Sequence, residues 1–317
     1  MSKVLLIGGG GFIGSRLALR CLSAGFSVRV ADVHVPVAEQ RAAGDIEYVA
    51  GDFSETSDLD RMLDGVDVVV HLVHKAMLLG LDSSVLPEIQ RNVVPAVKLF
   101  DRCLDYPHTR LVFVSSGGTV YGDPDERWPL AEDAALRPIS VYGTSKSMIE
   151  KVLGLYVAQR GLRGIVVRPG NAYGPGQLPF KGQGLIPTVM ASALQGKPVT
   201  IYGDGTAIRD YVHVDDIARG IVAAIQAGTN GEAYNIGTGR GVSINGLIND
   251  HIRPVLATQG LDIDLRYVES RGVDVRYNIL NTTKLTRDCG FTAQTRLEEG
   301  IAETWDWIRK NYSQVQQ

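Results

Sequence analysis

The chain has 317 residues, 44% of them hydrophobic and 21% charged, with a formal net charge of −3. That length suits one large or two modest domains, and the composition buries a sizeable core and argues against disorder. A slightly acidic balance with no basic block argues against nucleic acid as the main partner.

Val4–Ile7 reads as an apolar strand running into Gly8-x-x-Gly11-x-x-Gly14. The break at Gly8 after so short an apolar run makes this segment neither a signal peptide nor a membrane span. A glycine permits the tight turn, its missing side chain lets backbone approach a pyrophosphate, and a third glycine lets a helix pack close on the strand. The helix FIGSRLALRCLSAG follows. Its N-terminus offers N–H groups and the positive dipole end to phosphates. A second strand, SVRVAD, ends on Asp32. A carboxylate there accepts both ribose hydroxyls and repels a 2′-phosphate. Val33 and His34 follow rather than an arginine, so the pattern predicts NAD over NADP.

Further strands are predicted at Glu47–Val49, Val68–Leu72, Leu111–Ser115 and Gly164–Arg168, alternating with helical patterns. Nearly all-apolar strands in this alternation predict a parallel sheet with helices on both faces. Two long helices are predicted. One is Ser84–Cys103, entered near Pro87 and containing Pro95; the other is Tyr142–Gln159, with Met148, Val152 and Leu155 at helical spacing. The segment PGNAYGPGQLPFKGQGLIP, dense in Gly, Pro and Asn, reads as a ligand-facing loop. Helix Thr188–Gln195, strand Thr200–Tyr202, helix Asp215–Ala227 and strand Ala233–Ile236 follow. The implied division is a doubly wound α/β domain at 1–169 plus 215–237 and a smaller, discontinuous α/β substrate domain at 170–214 plus 238–317. Ser313–Gln317 reads as a frayed tail. Cys21, Cys103 and Cys289 are widely spaced, form no metal-ligand cluster, and suit buried structural roles in a reducing cytosol.

Tyr142-Gly-Thr-Ser-Lys146 places a phenol and an ammonium one helical turn apart, on one face. A phenol near pKa ~10 is a poor base at neutral pH, and a nearby cation favours phenolate. The motif follows a strand ending in Ser115-Ser116, in a chain already read as binding a dinucleotide.

With these motifs the chain resembles the extended short-chain dehydrogenase/reductase family, especially its nucleotide-sugar epimerases and dehydratases. The resemblance is carried by GGGGFIG (8–14), GDF (51–53), HL (71–72), SSGGTVYG (115–122) and YGTSK (142–146). It continues through RPGNAYGPGQ (168–177), GKPVTIYGDGTAIRDYVHVDD (196–216), YNIGTG (234–239) and RGVD (271–274). It implies a Rossmann-type fold that holds NAD on Gly8, Gly11, Phe12, Ile13, Gly14 and Asp32, with Asp52 and Phe53 flanking the adenine. Leu72, Asn92 and Ser115 would lie toward the nicotinamide, and Lys146 would bind its ribose beside Tyr142. Asn171, Arg209 and Arg271 would meet the substrate diphosphate, where guanidiniums fork onto phosphate oxygens. Asp274 would bind the nucleotide ribose, and Asn278 would gate the sugar's C2 substituent, leaving room for an acetamido group.

Two departures stand out. Gly117 occupies the position where the epimerases carry a Ser or Thr that bonds the reacting hydroxyl, so Ser116, Thr119 or a water is expected to substitute. His74 replaces a small residue and is expected to be a satisfied structural histidine. Positions 117–119, Gly-Gly-Thr, also lack the Thr-Asp-Glu of related 4,6-dehydratases and the glutamate of related decarboxylases. The implied activity is NAD-dependent inversion of C4 of a UDP-hexose through a transient 4-keto sugar, with Tyr142 and Lys146 at the reacting centre. A nucleotide-sugar reductase and a non-catalytic NAD-binding protein remain alternatives. The two long helices resemble those that relatives pack between subunits, which implies a cytoplasmic homodimer without membrane or nucleic-acid partners.

Overall fold

The computed structural model describes residues 1–35, 45–75, 85–182 and 184–312. Its first half runs β1 (Lys3–Ile7), α1 (Phe12–Ser23), β2 (Ser27–Asp32), β3 (Ile46–Ala50), α2 (Thr56–Leu63) and β4 (Val68–His71). Then come α3 (Val85–Glu88), α4 (Val94–Cys103), β5 (Arg110–Val114), α5 (Val141–Arg160) and β6 (Arg163–Pro169). The rest begins β7 (Asn171–Tyr173), α6 (Leu185–Leu194), β8 (Val199–Tyr202), β9 (Ile208–Arg209), β10 (Tyr211–His213), α7 (Val214–Ala227) and β11 (Ala233–Ile236). It ends β12 (Val242–Ser243), α8 (Ile244–Gly246), α9 (Arg253–Ala257), β13 (Leu265–Val268), β14 (Tyr277–Asn278), α10 (Thr283–Cys289) and α11 (Leu297–Tyr312).

The predicted strands pair in parallel into a seven-stranded sheet, ordered β11-β6-β5-β4-β1-β2-β3. The chain winds outward from β1 in both directions, so a crevice opens beyond the carboxyl end of β1. Alternation along β1 shows how the layers form. Val4 and Leu6 pack with Leu17 and Ala18 of α1 and Ile217 and Ile221 of α7. Leu5 and Ile7 face the other way, onto Leu99 and Phe100 of α4 and Ile149 and Leu153 of α5. A third cluster joins Val189 and Met190 of α6 to Ile301, Trp305 and Ile308 of α11. From the C-terminal part, α10 returns to the sheet and buries Leu285 in its core.

Three details differ from the sequence expectation. The helix predicted from Ser84, a residue outside the described set, is not uniform: a π turn at Ile89–Val93 separates α3 from α4. A second π turn, Leu247–Ile252, precedes α9. Each stands just before a proline, Pro95 or Pro254, at the start of the next helix. Proline has no N–H for the i−4 carbonyl and its ring crowds that carbonyl, and a wider turn accommodates both. The segment read as loop after Arg168 contains β7, which pairs with the distant β10. Helix α6 starts earlier than predicted, directly after Gly184, whose φ is +84°. The tail at Ser313–Gln317 lies outside the described residues. Among those described, no helix is long and apolar enough to cross a membrane.

Candidate active site

The crevice at the end of β1 is an open cleft of about 230 Å³. One wall is the glycine turn with Phe12 and Ile13; Leu72, Val114 and Ser115 stand at the strand ends; His74, Tyr142 and Lys146 close the far side. The glycines are required by contact. Gly8 has φ +83°, and a Cβ there would lie 2.7 Å from Val73 Cγ2. At Gly14 it would lie 2.6 Å from both Gly8 O and Gly9 Cα, so α1 seats this close to β1 only without a side chain. Gly11 caps α1 without a side-chain bond, which leaves the first-turn N–H groups for an anion. At the end of β2, Asp32 Oδ2 accepts from Gly10 N–H at 3.2 Å and Oδ1 from His34 N–H at 3.3 Å. That fixes an acceptor-only carboxylate beside the turn, and the cradle fits a dinucleotide with a free ribose 2′-hydroxyl.

Other residues expected near the cofactor have protein partners. Asp52 pairs with Lys75 Nζ at 2.8 Å and accepts from the Ser54 N–H and hydroxyl. Burial pushes its carboxyl up, but these bonds outweigh it and the net shift is downward. Phe53 is buried, with its ring centroid 5.0 Å from that of His71. Asn92 brackets the Lys75 backbone, accepting its N–H at 2.7 Å and donating to its carbonyl.

Helix α5 begins at Ser140, whose hydroxyl accepts from Gly143 N–H at 3.1 Å and so sets Tyr142 on the first turn. Lys146 is buried, donates to Val114 O at 2.8 Å, and lies 5.9 Å from the Tyr142 ring centroid. The electrostatics differ from the sequence expectation of a lowered phenol. Burial pushes Tyr142 up to about 12, against a lowering bond with Ser116. Burial also pulls Lys146 down to about 8, despite Glu150 and Glu88. Desolvation dominates in both: Lys146 is buried, and Tyr142 is half-buried where it lines the cleft.

Ser116, rather than Thr119, is the hydroxyl near enough to pull the Tyr142 phenol down. Thr119 Oγ1 and Ser115 Oγ are buried without a partner among the described residues. The reason for glycine at 117 is spatial: a Cβ there would lie 2.7 Å from Leu280 Cδ1 and 2.8 Å from Arg168 O. His74 and Glu88 belong to this wall, and the sequence reading did not place them there. The His74 ring meets Tyr142 edge-on, centroids 4.5 Å apart, and its Nε2 lies 2.9 Å from Glu88 Oε1. Expected as a satisfied structural histidine, it is only half satisfied, since Nδ1 has no partner among the described residues. Its replacement of a small residue was the available signal.

On the opposite side, Asn171 N–H donates to Asp210 O at 2.8 Å, which sets it beside Arg209. Burial pulls the Arg209 guanidinium below its usual pKa. Arg271 and Asp274, assigned separate ligands, pair with each other at 3.1 Å, and the guanidinium lies 4.0 Å over the Tyr202 ring. Asn278, expected to gate the sugar, is fully buried and donates to Gly117 O at 2.8 Å. Its amide anchors backbone because β14 carries it beneath the Gly117 loop.

A tyrosine and lysine one turn apart, facing a glycine turn across the sheet's switch point, place the protein among the extended short-chain dehydrogenases and reductases. The model of the NAD dependent epimerase/dehydratase family matches residues 4–237, and the chain belongs to that family. The chain is 30% identical over 311 residues to a putative UDP-glucose 4-epimerase of Methanocaldococcus jannaschii, covering 97% of this chain and 99% of that protein. A UDP-glucose 4-epimerase from Thermotoga maritima, solved with UDP-glucose, superposes with a TM-score of 0.87 at 30% identity, covering 97% and 99% of the two chains. A dTDP-glucose 4,6-dehydratase from Streptomyces venezuelae, solved with NAD, gives a TM-score of 0.87 at 31% identity, covering 98% and 97%. The cofactor is NAD.

Proposed function

We propose that the chain inverts C4 of a UDP-hexose, with NAD retained through turnover. The observation that carries this reading is the Tyr142–Lys146 pair lining the cleft, with the ammonium 5.9 Å from the phenol ring centroid. The loop after Ser116 is Gly117-Gly118-Thr119, without the acids that related enzymes use to expel water or carbon dioxide. Reversible oxidation without elimination is what such a site supports.

In this reading Tyr142 takes the proton of the sugar 4-hydroxyl, and Ser116 orients the exchanging oxygen. Lys146, held by the Val114 carbonyl, brings positive charge to the phenol. Bound NAD would supply the hydride acceptor, and its oxidised ring would add a charge that favours phenolate. The cofactor would rest on Gly8–Gly14 and Asp32, within 1–169 plus 215–237. The nucleotide sugar would rest on 170–214 plus 238–317, with Arg209, Asn171 and Arg271 on the diphosphate and Asp274 on the ribose. Val94 on α4 and Met148 and Leu155 on α5 are exposed, which supports a homodimer through these helices. A cytoplasmic enzyme fits the three free cysteines.

Purified protein is expected to convert UDP-glucose or UDP-N-acetylglucosamine to the C4 epimer without added NADH, followed by chromatography. Loss of water from dTDP-glucose, or no epimer from any UDP-hexose, overturns the reading.

A further inference from the structure

His74 supplies a hydrogen-bond acceptor for which the described residues hold no donor. Its ring lines the cleft beside Tyr142. Glu88 Oε1 lies 2.9 Å from Nε2 and also accepts the Ser145 hydroxyl at 2.7 Å. A carboxylate only accepts, so Nε2 carries the proton. Burial and the Lys146 charge keep the ring neutral, which leaves the lone pair on Nδ1. That atom is buried and has no partner among the described residues. An unmet buried acceptor costs free energy that an incoming donor restores.

The neighbours define the donor. Lys146 on the same wall is donor-only, and Nδ1 of this tautomer is acceptor-only. A hydroxyl suits both kinds of group, since one oxygen can accept from an ammonium and donate its proton to an imidazole. An amide nitrogen does only the second.

We propose that His74 Nδ1 accepts a hydrogen bond from a sugar-ring hydroxyl entering the cleft, with Glu88 and Ser145 fixing the tautomer. This rests on the nucleotide-sugar reading above. The hydroxyl belongs to the ribose of NAD or to the hexose of the nucleotide sugar.

Nitrogen-15 NMR of histidine-labelled protein tests it, with the His74 signal assigned by its loss in His74→Phe. Before ligand, Nδ1 is expected to resonate as unprotonated. An upfield shift on adding NAD alone assigns the ribose hydroxyl; a shift only when UDP-glucose joins the NAD-loaded protein assigns the hexose. Calorimetry of His74→Phe should show about tenfold weaker binding of whichever ligand moved the signal, the loss of one hydrogen bond. Glu88→Gln, which replaces an acceptor-only carboxylate by an amide that no longer dictates the tautomer, should weaken the same ligand while keeping the ring. Should His74→Phe fail to fold, Glu88→Gln and the wild-type spectra decide. The proposal is overturned by an Nδ1 protonated before ligand, or by no shift with either ligand. UDP-glucose that fails to bind at all would count against the epimerase reading, while the NAD titration still decides the role of His74.

Discussion

The two walls of the cleft are assembled by different means. On the cofactor wall, Gly8–Gly14 and Tyr142–Lys146 are short runs carried on β1, α1 and α5, long elements packed on both faces of the sheet. The wall proposed to hold the sugar is made of β7, β9, β10 and β14, strands of two or three residues held in two separate pairs: Asn171 of β7 opposite Tyr211 of β10, and Asn278 of β14 opposite Arg209 of β9. An element with a repeating apolar face aims its polar residues through its own periodicity. A two-residue strand has no periodicity, and its side chains take whatever partner the neighbouring strand brings.

Substitutions can break this comparison or sharpen it. Tyr142→Phe attacks the cofactor wall and should have the largest effect. Epimer formation should fall by about 10²–10⁴-fold while NAD binding, read by calorimetry, is nearly kept. Gly117→Ser restores the hydroxyl usual in relatives, but its Cβ would meet Leu280 and the Arg168 carbonyl. Urea unfolding should show a loss of about 1–3 kcal/mol from overpacking, with no gain in rate. Higher activity at unchanged stability would mean the sugar wall is looser than its packing indicates.

The buried ammonium makes a pH prediction. Lys146 falls from 10.5 to about 8 on folding, so between those values the unfolded chain binds the extra proton. Stability therefore rises with pH from about 8 to about 10 by up to ~1.4 kcal/mol per unit. Cys21 and Cys103, raised from 9.0 to about 12 by burial, act the other way above pH 9, so the rise is read as the difference in melting between ligand-free wild type and Lys146→Met across that range. Asn278→Ala is the mildest change. Losing the bond to Gly117 O should cost about 1 kcal/mol and affect UDP-glucose and UDP-N-acetylglucosamine turnover alike. Selective loss of the acetamido substrate would return Asn278 to the sugar gate.

The sequence by itself determined the strand–glycine–helix start, the carboxylate at Asp32, the order of the sheet's strands along the chain and the Tyr142/Lys146 pair. Each rests on local periodicity or on what only glycine permits, and these act within a few residues. Tertiary structure alone decided that Ser116 rather than Thr119 meets the phenol, and that Leu280 fills the space beside Gly117. It also decided that Arg271 and Asp274 face each other, that Asn278 turns to backbone, and that Glu88 fixes one nitrogen of His74 and leaves the other open. Most of these contacts join residues far apart in the chain, and the Arg271–Asp274 pair sits in a loop without periodicity. Burial, which raised the phenol that spacing alone predicts to be lowered, belongs to the assembled fold rather than to any stretch of sequence.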